Sequence, residues 1–131
     1  MSYSENGRTL FWVGCGSSFS VQAAYPGEPK KDEEPATIII ANGKTQMWFD
    51  GIIEYRSAGV RVPNKMHFAQ WNLGYKRGDP GLFEKAWRDK EYRLLDFLDS
   101  GRTLTVSAEG KSYVLPAIDA PDWKQRFEKI C

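Results

Sequence analysis

The dipeptide Asn42-Gly43 restricts the fold more than any other feature, because it joins two strand-forming segments through a short turn. Asn and Gly readily adopt the positive φ angles that a two-residue hairpin turn requires. The preceding segment 36–41 contains the β-branched run 37–40, which predicts a strand buried on both faces. The following segment, 44–50, alternates two sets of side chains, Thr45, Met47 and Phe49 against Gln46 and Trp48. An antiparallel hairpin is therefore predicted here.

Short strand patterns recur along the rest of the chain, separated by turn residues. They lie at residues 9–13, 17–24, 52–56, 60–62, 65–73, 103–108 and 111–115. Phe19, Val21 and Ala23 should share one face of the second of these strands, and Glu109-Gly110 should form the turn of the last hairpin. The segment 25–35 holds three prolines and six charged residues. It is predicted to be a solvated loop.

Two segments show helical periodicity. Asp79 and Pro80 are typical of a helix start, and Gly101 is a typical left-handed stop. Between them, apolar residues recur every three or four positions: Leu82, Phe83, Ala86, Trp87, Leu94, Leu95 and Leu98. A C-terminal helix is predicted over 120–130, capped by Asp119 or Ala120, with Pro121 in its first turn. Its apolar face would be Trp123, Phe127 and Ile130, which should dock the C-terminus onto the sheet.

These patterns predict one α+β domain, mainly β, spanning residues 1–131. Its antiparallel strands, six to nine of them, would form a meander, a barrel or a sandwich. One helix is expected near 80–99 and a second near 120–130. No apolar run approaches the ~18 residues that a membrane-spanning helix needs, so no membrane span is predicted.

The two cysteines bear on the compartment. Cys15 follows an apolar run, and Cys131 is the last residue of the sequence. Chain termini fray unless something holds them, so a disulfide between these cysteines would explain a cysteine in this position. Such a bond would place the protein in an oxidising compartment. The alternative is two unrelated thiols in a reducing compartment.

The polar start of the chain, residues 2–7, has neither the basic nor the apolar segment of a signal peptide. Two interpretations remain. Either the protein stays in the cytoplasm, or the chain is a periplasmic or secreted mature form that lacks its leader.

The C-terminal third is similar to small exported alphaproteobacterial proteins of the invasion-associated locus B family. The resemblance covers about 40 residues, from the helix end 94–101 through the strand 103–106, Gly110 and the segment 113–116 to a short helix closing on Cys131. The absent leader and the cysteine arrangement differ from that family. The resemblance implies an exported β-domain without known catalysis, and it implies no functional residues.

Candidate catalytic groups are few. His67 is the only histidine, and it could serve as a base for Ser17, Ser18 or Cys15 only with a nucleophile motif that is missing. The carboxylate pair Asp96 and Asp99 is predicted on a solvated helix face, and 32–34 lies in the predicted loop. No phosphate-binding, dinucleotide or calcium motif is present. We therefore expect a non-enzymatic protein without cofactor or metal.

Segment 44–77 is the most suggestive region, because six basic and two acidic residues give it a net charge of +4 in a chain of net charge +1. Aromatic residues alternate with these charges. Side chains of this kind are typical of protein interfaces and of surfaces that stack on single-stranded nucleic acid. An ordinary core with a charged surface would produce the same pattern and is the interpretation that this composition favours. The residues predicted to bind a partner are Trp48, Tyr55, Arg56, Lys65, Trp71, Tyr75, Lys76 and Arg77.

Two functions are therefore predicted. The first is a small envelope protein, monomeric or weakly dimeric, that binds another protein as an immunity factor, an inhibitor or a host-interaction factor. Its contact surface would centre on Trp48, Trp71 and Tyr75. The alternative is a cytoplasmic phage- or plasmid-type module that binds single-stranded nucleic acid through its basic, aromatic sheet face.

Overall fold

The computed structural model describes residues 1–15, 19–24, 34–53, 56–57, 60–61, 68–72 and 80–131; of 56–57, 60–61, 68–72 and 80–87 it describes the backbone alone. The described residues are mainly β with two helices, as predicted. In order, the elements are β1 (Ser2–Glu5), β2 (Arg8–Cys15), β3 (Phe19–Ala24), β4 (Glu34–Asn42), β5 (Thr45–Ile53), β6 (Arg56–Ser57), β7 (Val60–Arg61), β8 (Phe68–Asn72), α1 (Pro80–Leu98), β9 (Leu104–Ala108), β10 (Lys111–Leu115) and α2 (Trp123–Ile130).

Eight of these strands form one antiparallel sheet in the order β1-β2-β3-β8-β5-β4-β9-β10. β6 and β7 pair separately as a two-stranded sheet. The order is not that of a simple meander, because β8 lies between β3 and β5 and β9 lies beside β4. The strands at the two ends of the sheet, β1 and β10, do not pair with each other, so the sheet is not closed into a barrel.

The predicted central hairpin is present, but its turn lies one residue later than expected. β4 and β5 pair from Glu34 with Ile53 to Asn42 with Thr45, which leaves Gly43 and Lys44 as the loop. Gly43 has a φ of 62°, whereas Lys44 is not among the described residues with positive φ. This matches a type II′ turn, which needs glycine only at its first central position. β5 also continues through Gly51, where two separate strands were predicted.

Burial alternates along the hairpin as a pleated sheet requires. Ile38, Ile40, Met47 and Phe49 lie in the core, whereas Ile39 is half-buried. The prediction that β4 is buried on both faces is therefore wrong, because the face that carries Ile39 is only partly covered. Burial on both faces occurs in β3 instead. There Ser20 and Ala24 are as inaccessible as the predicted core residues Phe19, Val21 and Ala23.

α1 contributes Leu94, Leu95 and Leu98 to the core, as its apolar spacing predicts. The side chains of residues 82–87 lie outside the described part. Gly101, at a φ of 69°, has the left-handed conformation expected of it, three residues after the helix ends. Most of the buried apolar residues form one cluster that draws on β2 to β5, α1, β9, β10 and Trp123.

β1 was not predicted. Its hairpin with β2 turns at Asn6 and Gly7, both with positive φ, at 49° and 74°. Asn-Gly thus forms the turn itself here, whereas in the β4–β5 hairpin Asn42 still belongs to the strand. This first hairpin was missed because residues 2–5 carry no apolar alternation. The turn at Glu109-Gly110 is confirmed, with φ angles of 46° and 87°.

α2 begins later than predicted. Its first residue is Trp123, and Asp122 precedes it in a left-handed conformation without a side-chain capping hydrogen bond. Asp119, Ala120 and Pro121 therefore lie before the helix. Trp123 and Phe127 pack on the core as predicted, but Ile130 is 82% exposed, so its predicted docking role is wrong. The covalent bond at Cys131, rather than apolar burial of Ile130, holds this end of the helix.

Candidate binding groove between β5 and α1

The candidate site is a groove of about 380 Å³ where α1 crosses β5. Residues from the strand form one wall and residues from the helix form the other: Gln46, Met47 and Trp48, facing Asp89, Lys90 and Arg93. The two elements are in contact at this point. The Lys90 ammonium group lies 4.7 Å from the centroid of the buried Phe49 ring. A cation over an aromatic face is an attractive contact, so it helps to hold this part of α1 against β5.

Trp48 is the exposed aromatic residue of the groove. It lies between the buried residues Met47 and Phe49 in sequence, and the pleat therefore directs its side chain away from the core. The residue is 53% exposed, and it pairs with the half-buried Ile39 on β4. The strand thus presents a large apolar surface with a polar N–H group on the sheet face that carries Ile39, opposite the face on which Lys90 covers Phe49. This is the type of side chain that dominates many protein interfaces.

Two cations on α1 lie close together at the groove. Lys90 and Arg93 are three residues apart and therefore share one side of the helix. Burial is the main cause that lowers the pKa of Lys90; nearby Asp50 opposes this shift, and the positive charge of Arg93 adds to it. Arg93 and Asp89 are both exposed. The helix wall of the groove therefore carries two cations and the carboxylate of Asp89, and Asp50 is a further carboxylate near Lys90.

Of the residues predicted to bind a partner, Trp48 is described in full. Trp71 pairs with Val21 in the register of β3 and β8, and Arg56 pairs with Arg61 in the two-stranded sheet; their side chains are not described. Tyr55, Lys65, Tyr75, Lys76 and Arg77 lie outside the described residues, as does His67. The contact surface centred on Trp48, Trp71 and Tyr75 therefore stays a prediction.

The helix side of the groove was missed by the sequence analysis. One signal could have indicated it. Lys90 lies four residues before Leu94 and eight before Leu98, in the same row of the helix. A charged residue in an apolar row marks a place where a helix reaches the margin of its core. That this margin meets Trp48 depends on how α1 crosses the sheet, which helical periodicity does not define.

The predicted disulfide is present between Cys15 and Cys131, with 5.7 Å between their Cα atoms. Aromatic rings surround this end of the molecule. Phe19, the strand partner of Cys15, makes an edge contact with Phe127 at 6.2 Å between ring centroids, and Phe127 makes a similar contact with Trp123 at 6.3 Å. The bond therefore joins β2 to the end of α2 beside a small aromatic cluster.

The predicted solvated carboxylates of α1 lie at its surface. Asp96 and Asp99 are exposed, and Asp96 accepts a hydrogen bond from the ammonium group of Lys124 on α2. Nearby on α1, the pKa of Glu91 is raised, mainly by burial and also by the negative charge of Glu128.

Within the described residues, no three His, Cys, Asp or Glu side chains are placed to hold a metal ion. The same residues include no helix that is long and apolar enough to cross a membrane.

Comparison with known proteins adds no functional assignment. No family model, no curated protein and no solved structure matches this chain. The similarity to the invasion-associated locus B family stays a prediction. Any function must therefore be argued from the groove, the charges and the disulfide.

Proposed function

We propose that this chain is a small, non-enzymatic protein of the bacterial cell envelope that binds another protein through the groove between β5 and α1. The observation that carries the proposal is Trp48, a tryptophan that is 53% exposed at the edge of a groove with two cations. Tryptophan and arginine are enriched among the residues that dominate binding energy at protein interfaces. An immunity factor, an inhibitor or a host-interaction factor would each use such a surface.

The disulfide supports the envelope location. Structural disulfides persist in oxidising compartments such as the periplasm and the extracellular space, and they are rare in the cytosol. For the same reason it favours this proposal over a cytoplasmic nucleic-acid-binding module. The residues on which that alternative most depends, Lys65, Lys76 and Arg77, lie outside the described part of the chain.

Site-specific crosslinking tests the proposed function. The photoreactive amino acid benzoylphenylalanine would replace Trp48 in one sample and Val114 in a matched control. Val114 is similarly exposed, at 56%, but lies on the edge strand β10. We expect a defined crosslinked protein from an envelope extract of the source organism with the Trp48 replacement alone. Equal crosslinking at both positions, or none at Trp48, would contradict the proposal.

The affinity of the partner identified in this way would then be measured with purified proteins. We expect Trp48→Ala to weaken binding by about thirtyfold, as truncation of an interface tryptophan commonly costs about 2 kcal/mol or more. The folded state should be largely unaffected, because substitutions of exposed side chains usually change stability by less than about 0.5 kcal/mol. A urea unfolding midpoint equal to that of the native protein would verify this. An unchanged affinity would remove the groove from the interface.

A further inference from the structure

Two Asn-Gly dipeptides occur in the chain, one in the β1–β2 hairpin and one in the β4–β5 hairpin. Asn6 and Gly7 are both turn residues of the first hairpin, and both have positive φ. Asn42 is instead the last paired residue of β4, because it pairs with Thr45 across the second turn. The two dipeptides therefore have the same sequence but occupy different backbone positions in their hairpins.

An asparagine that precedes a glycine can react with the backbone. The glycine nitrogen attacks the Cγ atom of the asparagine side chain, an N–C bond forms, and the side-chain amide leaves as ammonia with the proton of the glycine N–H. Water then opens the succinimide ring and leaves either aspartate or isoaspartate. Glycine favours the attack because it has no side chain in the way and its φ changes freely. The first step requires the peptide plane between the two residues to rotate.

The hydrogen bonding of that peptide plane differs between the two hairpins. In a tight turn, the carbonyl of the residue before the turn accepts a hydrogen bond from the N–H of the residue after it. The plane between Asn6 and Gly7 is the central plane of its turn and lies between these bonded positions. The plane that follows Asn42 carries the carbonyl that the register places opposite the N–H of Thr45. Rotation therefore breaks a bond between strands in the second hairpin alone.

Other local factors are similar at the two sites or act in the same direction. A basic residue follows each dipeptide, Arg8 in the first hairpin and Lys44 in the second. A Cβ atom added to either glycine would meet no atom within 4 Å, so both turns have open space around them. Asn6 is exposed and Asn42 is half-buried, which also favours access of water to the first site. Position in the hairpin is therefore the main difference between the two asparagines.

We propose that Asn6 is a deamidation site and that the fold protects Asn42 from the same reaction. The product carries a new carboxylate at the β1–β2 turn, which lowers the formal net charge of the chain from +1 to zero. Where the ring opens to isoaspartate, the main chain runs through the former side chain and the turn gains one backbone atom. This inference is independent of the proposed protein-binding function.

Incubation of the native protein in mildly alkaline buffer tests this inference, with peptide mapping by mass spectrometry at successive times. Both asparagines are followed in the same sample. We expect Asn6 to deamidate at least about fivefold faster than Asn42, the rate factor that corresponds to one backbone hydrogen bond. The variants Asn6→Asp and Asn42→Asp are matched charge standards for the two products in ion-exchange chromatography. Equal rates, or a faster reaction at Asn42, would overturn the inference.

The same incubation in a denaturing concentration of urea provides the control. The unfolded chain has no hairpin hydrogen bonds, so the two asparagines should react at similar rates. A rate difference that persists in urea would show that local sequence, rather than position in the hairpin, causes it, and would overturn the structural explanation. Reaction at Asn6 in urea combined with none in the folded protein would show that the fold protects this site too, and would overturn the proposal.

Discussion

Gly14 in β2 shows how one residue can depend on the packing of its neighbour. A Cβ atom added to Gly14 would lie 2.2 Å from Cζ2 of Trp12, which is far inside van der Waals contact. Trp12 and Gly14 are two residues apart in a strand and so belong to the same face. The indole ring therefore lies directly over the Gly14 backbone, and glycine is required here by a close approach.

We expect Gly14→Ala to lower the free energy of unfolding by about 1–3 kcal/mol, because the new methyl group forces the Trp12 ring out of its position. Urea denaturation would measure the loss. In a Trp12→Leu background, which removes the obstructing ring, the same glycine substitution should cost much less. If the two costs are equal, the contact between Trp12 and Gly14 is not the reason for the glycine.

Trp48 shows how far the sequence predicts the candidate site at the scale of single residues. Alternation in segment 44–50 predicted that Trp48 would point away from Met47 and Phe49, and this is confirmed. The helix residues that line the groove could not be predicted in the same way. Lys90 and Arg93 are more than 40 residues away, and their position depends on the crossing of α1 over β5.

At the scale of elements, α2 depends on its anchors. It has eight residues, fewer than the ~12–15 that an isolated helix needs for even marginal stability. Trp123 is its only buried residue, and no side-chain hydrogen bond caps its first turn. Ring contacts among Trp123, Phe127 and Phe19, the ion pair of Lys124 with Asp96, and the disulfide bond hold it in place.

Removing the disulfide should therefore destabilise the protein and release α2 first. The disulfide joins residues with a sequence separation of 116. In the chain-entropy model, closing a loop of this length contributes about 4–5 kcal/mol to the free energy of unfolding. We expect the double variant Cys15→Ser, Cys131→Ser to lose about that amount in urea denaturation. Hydrogen exchange should show the largest loss of protection in α2.

Ile130→Ser serves as the control for the disulfide variant, because it changes the same helix at a side chain that is 82% exposed. Its stability should stay within about 0.5 kcal/mol of the native protein. Equal protection of α2 with and without the disulfide would show that the ring contacts alone are sufficient to hold it.

Local patterns predicted most elements but not all of their boundaries. The strong alternation of β5 and the apolar rows of α1 are properties of a few adjacent residues, and the structure confirms them for β5 and for Leu94, Leu95 and Leu98 of α1. The turn after Asn42 moved by one residue because both Asn42-Gly43 and Gly43-Lys44 can form a tight turn. In the structure Asn42 pairs with Thr45, so Gly43-Lys44 forms the turn. The start of α2 moved because Pro121 and Asp122 form a turn before the helix, although proline is also common in a first helical turn.

At the scale of the whole molecule, a tyrosine pair connects the two ends of the sheet. Tyr3 of β1 stacks on Tyr113 of β10, with 6.3 Å between ring centroids. The Tyr113 hydroxyl group donates a hydrogen bond of 2.6 Å to the carbonyl oxygen of Leu10 in β2. Since β1 and β10 are the edge strands, the sheet curves until these edges approach, and side chains span the gap that strand pairing leaves open. Strand order of this kind depends on contacts distant in sequence, so local patterns did not predict it.

Tyr113→Phe should lower the free energy of unfolding by about 0.5–1.5 kcal/mol near neutral pH, through loss of this hydrogen bond. Burial, and to a smaller extent Tyr3, raises the pKa of Tyr113 above its ordinary value of 10.0. The folded state thus holds the proton more tightly than the unfolded state. The stability that the protonated Tyr113 contributes is therefore complete below about pH 10 and is lost as the pH rises further.

The alkaline limb of the stability curve checks this reasoning. Urea midpoints measured between pH 8 and pH 11 should fall less steeply for Tyr113→Phe than for the native protein, because the variant has no ionisable group at this position. Parallel curves for the two proteins would show that Tyr113 does not titrate differently in the folded and unfolded states.

The bonds at one end of β2 have a mechanical consequence. The amino group of Met1 donates a hydrogen bond of 2.7 Å to the Val13 carbonyl oxygen, the Val13 N–H donates one to the Met1 carbonyl, and Cys15 is covalently joined to Cys131. A force that pulls residues 1 and 131 apart therefore passes through residues 1–15 and the disulfide. With the bond intact, the chain could extend by only about 50 Å, against about 450 Å for 131 extended residues. Everything between Cys15 and Cys131 would carry no tension.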